Sequence, residues 1–171
     1  MGATLSVGSP LELDIPRCAT GVPGCDYDEA GGWTHTVTGT TWGYKEQMTT
    51  LNFHCHAPAC ISMTAYVCEE GVSLDNCNTT NGKVLCAQYP VLGGSGDVSI
   101  NGTRFDEAGY IEIPACLWGD AAQGLPAPVN ITNRAVHMVK VSNASVGHYG
   151  EMVRMYIFFV IYNSFSCTYC L

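Results

Sequence analysis

Alternation of apolar and polar residues with a period of two dominates the chain and predicts β-strands. The segment LELDI, residues 11–15, alternates apolar and acidic side chains, as a strand with one buried face does. No window of useful length shows a 3.6-residue apolar period, and 19 Gly and 8 Pro punctuate the pattern. The same signals, with β-branched and aromatic enrichment, predict further strands at 33–42, 50–55, 60–68, 98–101, 110–118, 134–142 and 151–162.

Short strands in this number predict an all-β fold, a disulfide-stabilised β-sandwich of jelly-roll or immunoglobulin-like topology, and the sequence does not separate the two. The last segment, EMVRMYIFFVIY (151–162), is almost continuously apolar. We therefore expect a central strand that is buried on both faces or covered by a partner.

Two regions are expected along the chain. Residues 1–30 are predicted to form an extended N-terminal strand and a loop closed by Cys18 and Cys25, and residues 31–171 to form a single β-sandwich domain. The N-terminal strand could add to the sheet of a neighbouring subunit or pair within its own sheet, and both possibilities stay open.

A hairpin is predicted between CISMTAYV (60–67) and KVLCAQY (83–89). Asn81-Gly82 is a strong turn dipeptide, and Cys68 and Cys77 are placed to close the connecting loop.

Composition narrows the class of protein. The 171 residues are 47 % hydrophobic and only 13 % charged, against about 25 % charged in an average soluble domain. The net charge is -8, and the seven Lys and Arg residues are scattered singly. This distribution argues against nucleic-acid binding, which needs a basic patch.

Cysteines and glycosylation motifs both indicate secretion. Ten cysteines, an even number, are spread along the chain as in a secreted disulfide framework. They are Cys18, Cys25, Cys55, Cys60, Cys68, Cys77, Cys86, Cys116, Cys167 and Cys170. Four N-x-[ST] motifs, more than chance would place here, predict N-linked glycans on Asn78, Asn101, Asn130 and Asn143. We therefore expect an extracellular or cell-surface protein.

Membrane insertion is not expected. The first 30 residues lack the apolar core of a signal peptide, so we expect the chain to be a mature segment that follows a removed leader. The apolar run at 155–162 is far shorter than the ~20 residues that span a bilayer as a helix.

The segment NFHCHAPACISM (52–63) is the strongest candidate for metal chemistry. His54, Cys55 and His56, with His148 and Met152, supply the residue types of a cupredoxin-like copper site. However, both histidines of a strand face away from the intervening cysteine, and the even cysteine count favours an oxidised Cys55. We therefore expect no metal and no cofactor, with copper as a minority alternative.

Two further metal-binding patterns are incomplete, and a catalytic motif is absent. Asp26, Asp28 and Glu29 lack the spacing of an EF-hand, and Cys167-x-x-Cys170 lacks a second pair of similar spacing. No G-x-S-x-G motif is present. We expect that the protein is not an enzyme.

Three segments carry a resemblance to a known group. HCHAPACISM, FDEAGYIEIPACLWG and GHYGEM resemble segments of secreted, Cys-rich proteins of algae and other aquatic protists that form extracellular glycoprotein fibrils. The resemblance covers roughly residues 50–155 and implies a β-rich, N-glycosylated subunit polymerised head to tail, without catalytic residues. Compared with that group, the segment VCEEGVSLDNC (67–77) resembles a loop that has been added in this chain.

Together these observations predict a structural subunit of an extracellular filament or coat that polymerises through β-strand pairing or exchange near its termini. Its partners would be further copies of itself and covalent N-linked glycans. The alternative is a monomeric secreted carbohydrate-binding module, in which an exposed Trp33, Trp42 or Trp118 stacks on sugar.

Overall fold

The computed structural model describes residues 3–43, 47–56, 59–93, 111–147 and 151–162. The described residues contain twelve β-strands and two short 3₁₀ turns, without an α-helix, so the predicted all-β class is confirmed. The predicted strand at 98–101 lies outside the described residues. The strands are β1 (Ala3–Ile15), β2 (Cys25–Asp28), β3 (Gly32–Trp42), β4 (Gln47–Cys55), β5 (Cys60–Val67), β6 (Lys83–Gln88), β7 (Val91–Leu92), β8 (Ile111–Glu112), β9 (Cys116–Leu117), β10 (Val129–Asn130), β11 (Ala135–Ala144) and β12 (Glu151–Tyr162).

The first sheet is built around the two terminal strands. β12 lies between β1 and β4 and pairs with both in antiparallel fashion. The other side of β4 pairs with β10 at one end and with β9 further along. The N-terminal strand thus pairs within its own chain, and β12 has the interior position that its apolar sequence predicts.

The second sheet has the order β2-β3-β11-β5-β6. Its centre is β11, which pairs in antiparallel fashion with β3 on one side and β5 on the other. The predicted hairpin is present as β5 and β6, which pair from Met63 opposite Gln88 to Val67 opposite Lys83 with a bulge between Ala65 and Tyr66. β7 and β8 form a separate two-stranded sheet.

The connection between β5 and β6 is longer than a two-residue turn. It runs from residue 68 to 82 and includes a 3₁₀ turn at Leu74–Asn76. Its last turn needs glycine, because a Cβ on Gly82 would lie 2.7 Å from Cβ of Tyr66 and 2.8 Å from the carbonyl oxygen of Asn78.

The predicted strand at 110–118 is wrong in its extent. The structure has two separate two-residue strands there, β8 and β9, each paired with a different sheet. Pro114 lies between them and has no N–H to continue a ladder, which accounts for the break.

Side chains from both five-stranded sheets meet in one hydrophobic cluster. Leu51 and Phe53 of β4 and Val136 of β11 are among its buried members. The sheets approach closely where β1 contacts β3: a Cβ on Gly39 would lie 3.0 Å from side-chain carbons of Leu11 and Leu13. The fully buried methionines of the cluster are Met48, Met63, Met138 and Met155.

The two faces of β12 differ in burial. Val153, Met155 and Ile157 are fully buried, while Met152, Arg154, Tyr156 and Phe158, which alternate with them, are half-buried. Over residues 152–158, only one face of this apolar strand therefore belongs to the shared core.

Four disulfides occur among the described residues, which confirms the expected disulfide bonding. Cys18–Cys25 and Cys68–Cys77 close the short loops expected from the sequence. Cys55–Cys60 and Cys86–Cys116 each join a strand of the first sheet to a strand of the second. Cys167 and Cys170 lie outside the described residues.

The spans of these disulfides predict unequal contributions to stability. Replacing Cys86 and Cys116 with Ala releases a bond between residues 30 positions apart and should lower the free energy of unfolding by about 3–4 kcal/mol. The same change at Cys68 and Cys77, which are nine positions apart, should lower it by about 2–3 kcal/mol because the loop is shorter. Urea denaturation followed by circular dichroism measures both, and a larger loss for the Cys68 and Cys77 variant would contradict the loop-length argument.

Candidate functional site

The outer edge of β1 is the longest edge among the described strands. β1 pairs with β12 along its length, from Ala3 opposite Tyr162 to Ile15 opposite Glu151, with a bulge between Gly8 and Leu11. Within the described part of the chain no strand pairs with its other edge. Unpaired backbone N–H and C=O groups along such an edge can form a ladder with a further strand.

A row of polar side chains crosses the outward face of the first sheet. Glu12 of β1 lies opposite Arg154 of β12, which lies opposite His54 of β4. Arg154 forms an ion pair with Glu12, and its guanidinium carbon lies 5.7 Å from the ring centroid of Tyr156. Nε of Arg154 and Oδ1 of Asn52 are buried without a hydrogen-bond partner. Burying such groups without a hydrogen bond is costly.

His54 and His56 lie together on this outward face, opposite to Cys55. Their ring centroids are 5.2 Å apart in an edge-to-face arrangement. The pKa of His54 is lowered, first by its partial burial and then by the charges of His56 and Arg154. His54 is therefore mainly neutral at neutral pH.

The described residues of the copper alternative do not form one site. Met152 shares the half-buried face of β12 with Arg154, so the sheet places it on the same side as the two histidines. Cys55 is buried on the other side and is bonded to Cys60, so it has no thiolate to offer a copper ion. His148 lies outside the described residues.

A second group of potential ligands lies near the Cys18 loop. The sulfurs of Cys18 and Cys25 and a ring nitrogen of His35 lie within 4.8 Å of one another. The two sulfurs form a disulfide, so they are not available as metal ligands in this state. Of the acidic residues considered for calcium, Asp28 is in local use, because its Oδ1 accepts hydrogen bonds from the backbone N–H groups of Ala30 and Gly31.

Three of the four asparagines in glycosylation motifs are described, and all three are exposed. Asn78 and Asn130 each accept a hydrogen bond from the backbone N–H two residues ahead, at Thr80 and Thr132. Nδ2 of Asn143 donates to the carbonyl oxygen of Gly31, at 3.1 Å. Asn101 lies outside the described residues.

The three tryptophans have different surroundings. Trp42 is 48 % exposed at the end of β3. Trp33 is half-buried, with its ring centroid 5.1 Å from that of Tyr27, beside a surface groove. Trp118 packs against the core and lines a pocket together with Arg134 and Glu69.

Sequence reasoning missed the charged groups of these sites. A visible signal existed for Arg154, since it is the one basic residue inside the apolar segment 151–162. Nothing in the local sequence marks Arg134 or Glu69, because their shared pocket depends on strand pairing.

Comparison with known proteins leaves the chain without an assigned family. No protein-family model matches the sequence, and a comparison with curated proteins returns no significant match.

A separate finding concerns membranes: among the described residues, no helix has the length and apolar character to span a bilayer.

The two histidines with a lowered pKa predict a pH-dependent stability. Burial lowers the pKa of His137, and burial with nearby positive charge lowers that of His54, from the ordinary value of 6.5. As the pH falls below 6.5, the unfolded chain takes up protons that the folded chain resists, so the free energy of unfolding should decrease. Well above that pH, where the histidines are neutral in both the folded and the unfolded chain, they should contribute no slope.

Urea denaturation between pH 7.5 and about 5.5, where ordinary carboxyl groups remain ionised, measures this slope. A variant with His54→Gln and His137→Gln should show a flatter dependence than the wild type. Titration of the ring protons by NMR should give both pKa values below 6.5, and values at or above 6.5 would contradict the argument.

Proposed function

We propose that the protein is a structural subunit of an extracellular glycoprotein filament or coat, and that copies join by strand pairing at the free edge of β1. The observation that carries this proposal is the length of that edge: thirteen residues, paired on one side only among the described strands. Pairing with a strand of a second copy would satisfy the exposed backbone groups.

The sequence of β1 fits this role. Natural proteins protect long edges with charges, prolines or bulges. β1 has a bulge near Pro10, and its acidic residues, Glu12 and Asp14, lie only in the second half. The first half, ATLSVG, has no charge and is the part we assign to contact between copies.

We further propose that the two sheets form a β-sandwich of jelly-roll or immunoglobulin-like topology. The core shared by both five-stranded sheets supports this arrangement, and so do the two disulfides that join them. A rigid body of this kind suits a filament subunit, because it can be joined repeatedly without rearrangement. The disulfides also fit an oxidising compartment such as the cell surface.

Proline substitutions in the first half of β1 test assembly. In an antiparallel pair, the amides of neighbouring residues point to opposite edges, so one of Thr4 and Leu5 faces β12 and the other faces the free edge. Of Thr4→Pro and Leu5→Pro, one should remove a hydrogen bond to β12 and lower the melting temperature. The other should leave the melting temperature closer to that of the wild type and reduce filament formation.

Electron microscopy and light scattering of purified protein measure assembly. Thermal denaturation identifies which of the two variants has lost a hydrogen bond to β12. A wild type that stays monomeric at high concentration would contradict the proposal and favour the carbohydrate-binding alternative. Undiminished filaments in the variant that keeps its melting temperature would exclude the β1 edge as the contact.

N-linked glycans are the second part of the proposal, and residues 78–80 provide a matched test. Thr80→Ala destroys the Asn78 motif but keeps the backbone N–H that Asn78 caps, whereas Thr79→Ala keeps the motif. After secretion from a eukaryotic host, Thr80→Ala should lose the mass of one glycan and Thr79→Ala should not. Equal masses before and after enzymatic deglycosylation of the wild type would show that the motifs are unused.

A further inference from the structure

A pocket of about 320 Å³ opens between the two sheets, at the end where β6, β9 and β10 meet. This volume is within the range of small-ligand sites. Its apolar lining includes Val67 of β5, Leu85 of β6, Val129 of β10 and Trp118, which follows β9. Leu85, Trp118 and Val129 also pack against the main core, so the pocket floor is continuous with it.

The walls of the pocket are held in place by bonds. The Cys86–Cys116 disulfide ties β6 to β9 next to Leu85 and two residues before Trp118. The backbone N–H of Trp118 donates to the carbonyl oxygen of Thr49, at 2.8 Å. The indole ring is therefore presented by a fixed segment.

Two cationic side chains line the pocket. Lys83 and Arg134 are two of the seven Lys and Arg residues of a chain with a net charge of -8. Nε of Arg134 donates to the carbonyl oxygen of Cys68, at 2.8 Å, which fixes the orientation of the guanidinium group. Nη2 of Arg134 lies 3.8 Å from Oε1 of Glu69, and the Glu69 side chain is 83 % exposed. An ion pair this exposed is weak, so another carboxylate can compete for Arg134.

We propose that this pocket binds one sugar unit that carries a carboxylate, such as a uronic acid unit of an acidic polysaccharide. Trp118 and the neighbouring aliphatic side chains contact the apolar face of the sugar ring. Arg134 binds the carboxylate through two parallel hydrogen bonds, and Lys83 adds a second positive charge. Glu69, displaced from Arg134, accepts hydrogen bonds from ring hydroxyl groups. The site does not depend on filament formation, because one copy of the chain supplies all of these groups.

Titration of ¹⁵N-labelled, enzymatically deglycosylated protein with glucuronate, glucose and acetate tests this proposal. Glucuronate should shift the indole N–H signal of Trp118 and bind at least about tenfold more tightly than either other compound, because only it has both the ring and the charge. Binding should weaken at higher salt concentration, since both cations are near the surface.

Variants assign the roles of the side chains. Lys83→Gln, at an exposed position, and Arg134→Lys, which loses the bidentate geometry, should each weaken glucuronate binding by about three- to tenfold. Trp118→Phe should weaken it, whereas the matched variant Trp42→Phe should not. Arg134 also donates a hydrogen bond to the Cys68 carbonyl oxygen, so Arg134→Lys can disturb the fold. Lys83→Gln still tests the contribution of positive charge to binding in that case. The proposal is overturned if no signal shifts, if glucose or acetate binds as tightly as glucuronate, or if Lys83→Gln binds as the wild type does.

Discussion

The contact between the inner faces of the two five-stranded sheets determines where every other feature lies. Four of the interior strands each contribute one fully buried methionine to it: Met48 from β4, Met63 from β5, Met138 from β11 and Met155 from β12. Methionine is unbranched and fills irregular gaps, so it suits a core to which both sheets contribute side chains. The disulfides at Cys55–Cys60 and Cys86–Cys116 then hold the sheets together at separate places. The outward faces and the pocket beside Trp118 follow from this arrangement, whereas the free edge of β1 follows from the strand order of the first sheet.

The same packing leaves outward faces on which uncharged polar groups replace the usual charges. On β3, threonines occupy every second position from 34 to 40, alternating with residues that face the core. On the first sheet, the ion pair of Arg154 with Glu12 is one of the few charged contacts. Hydroxyl groups, and the glycans proposed for Asn78, Asn130 and Asn143, would then keep the surface hydrated in a chain with only 13 % charged residues.

Local patterns predicted the β class, most strand positions, the Cys18 and Cys68 loops and the opposite faces of His54 and Cys55, because these depend on neighbouring residues. The sequence could not predict which face of β11 points inward, since apolar residues occupy both sets of alternate positions. The structure buries Lys140 completely beside Met138, whereas Val139 and Val141 remain half-exposed. Contacts between distant segments, such as the Cys86–Cys116 disulfide and the approach of Arg134 to Trp118, leave no local signal.

The antiparallel pairing of β1 with β12 also determines how the subunit responds to tension. Ala3 lies opposite Tyr162, so the two strands enter and leave the sheet at the same end. Force that pulls these two strand ends apart would peel the ladder open one hydrogen bond at a time. Force delivered lengthwise along β1 from a neighbouring strand would instead load all of its hydrogen bonds together in shear, which resists rupture more strongly. A fibre joined through this edge would therefore gain tensile strength from the same short-range bonds that open readily when the ends are pulled apart.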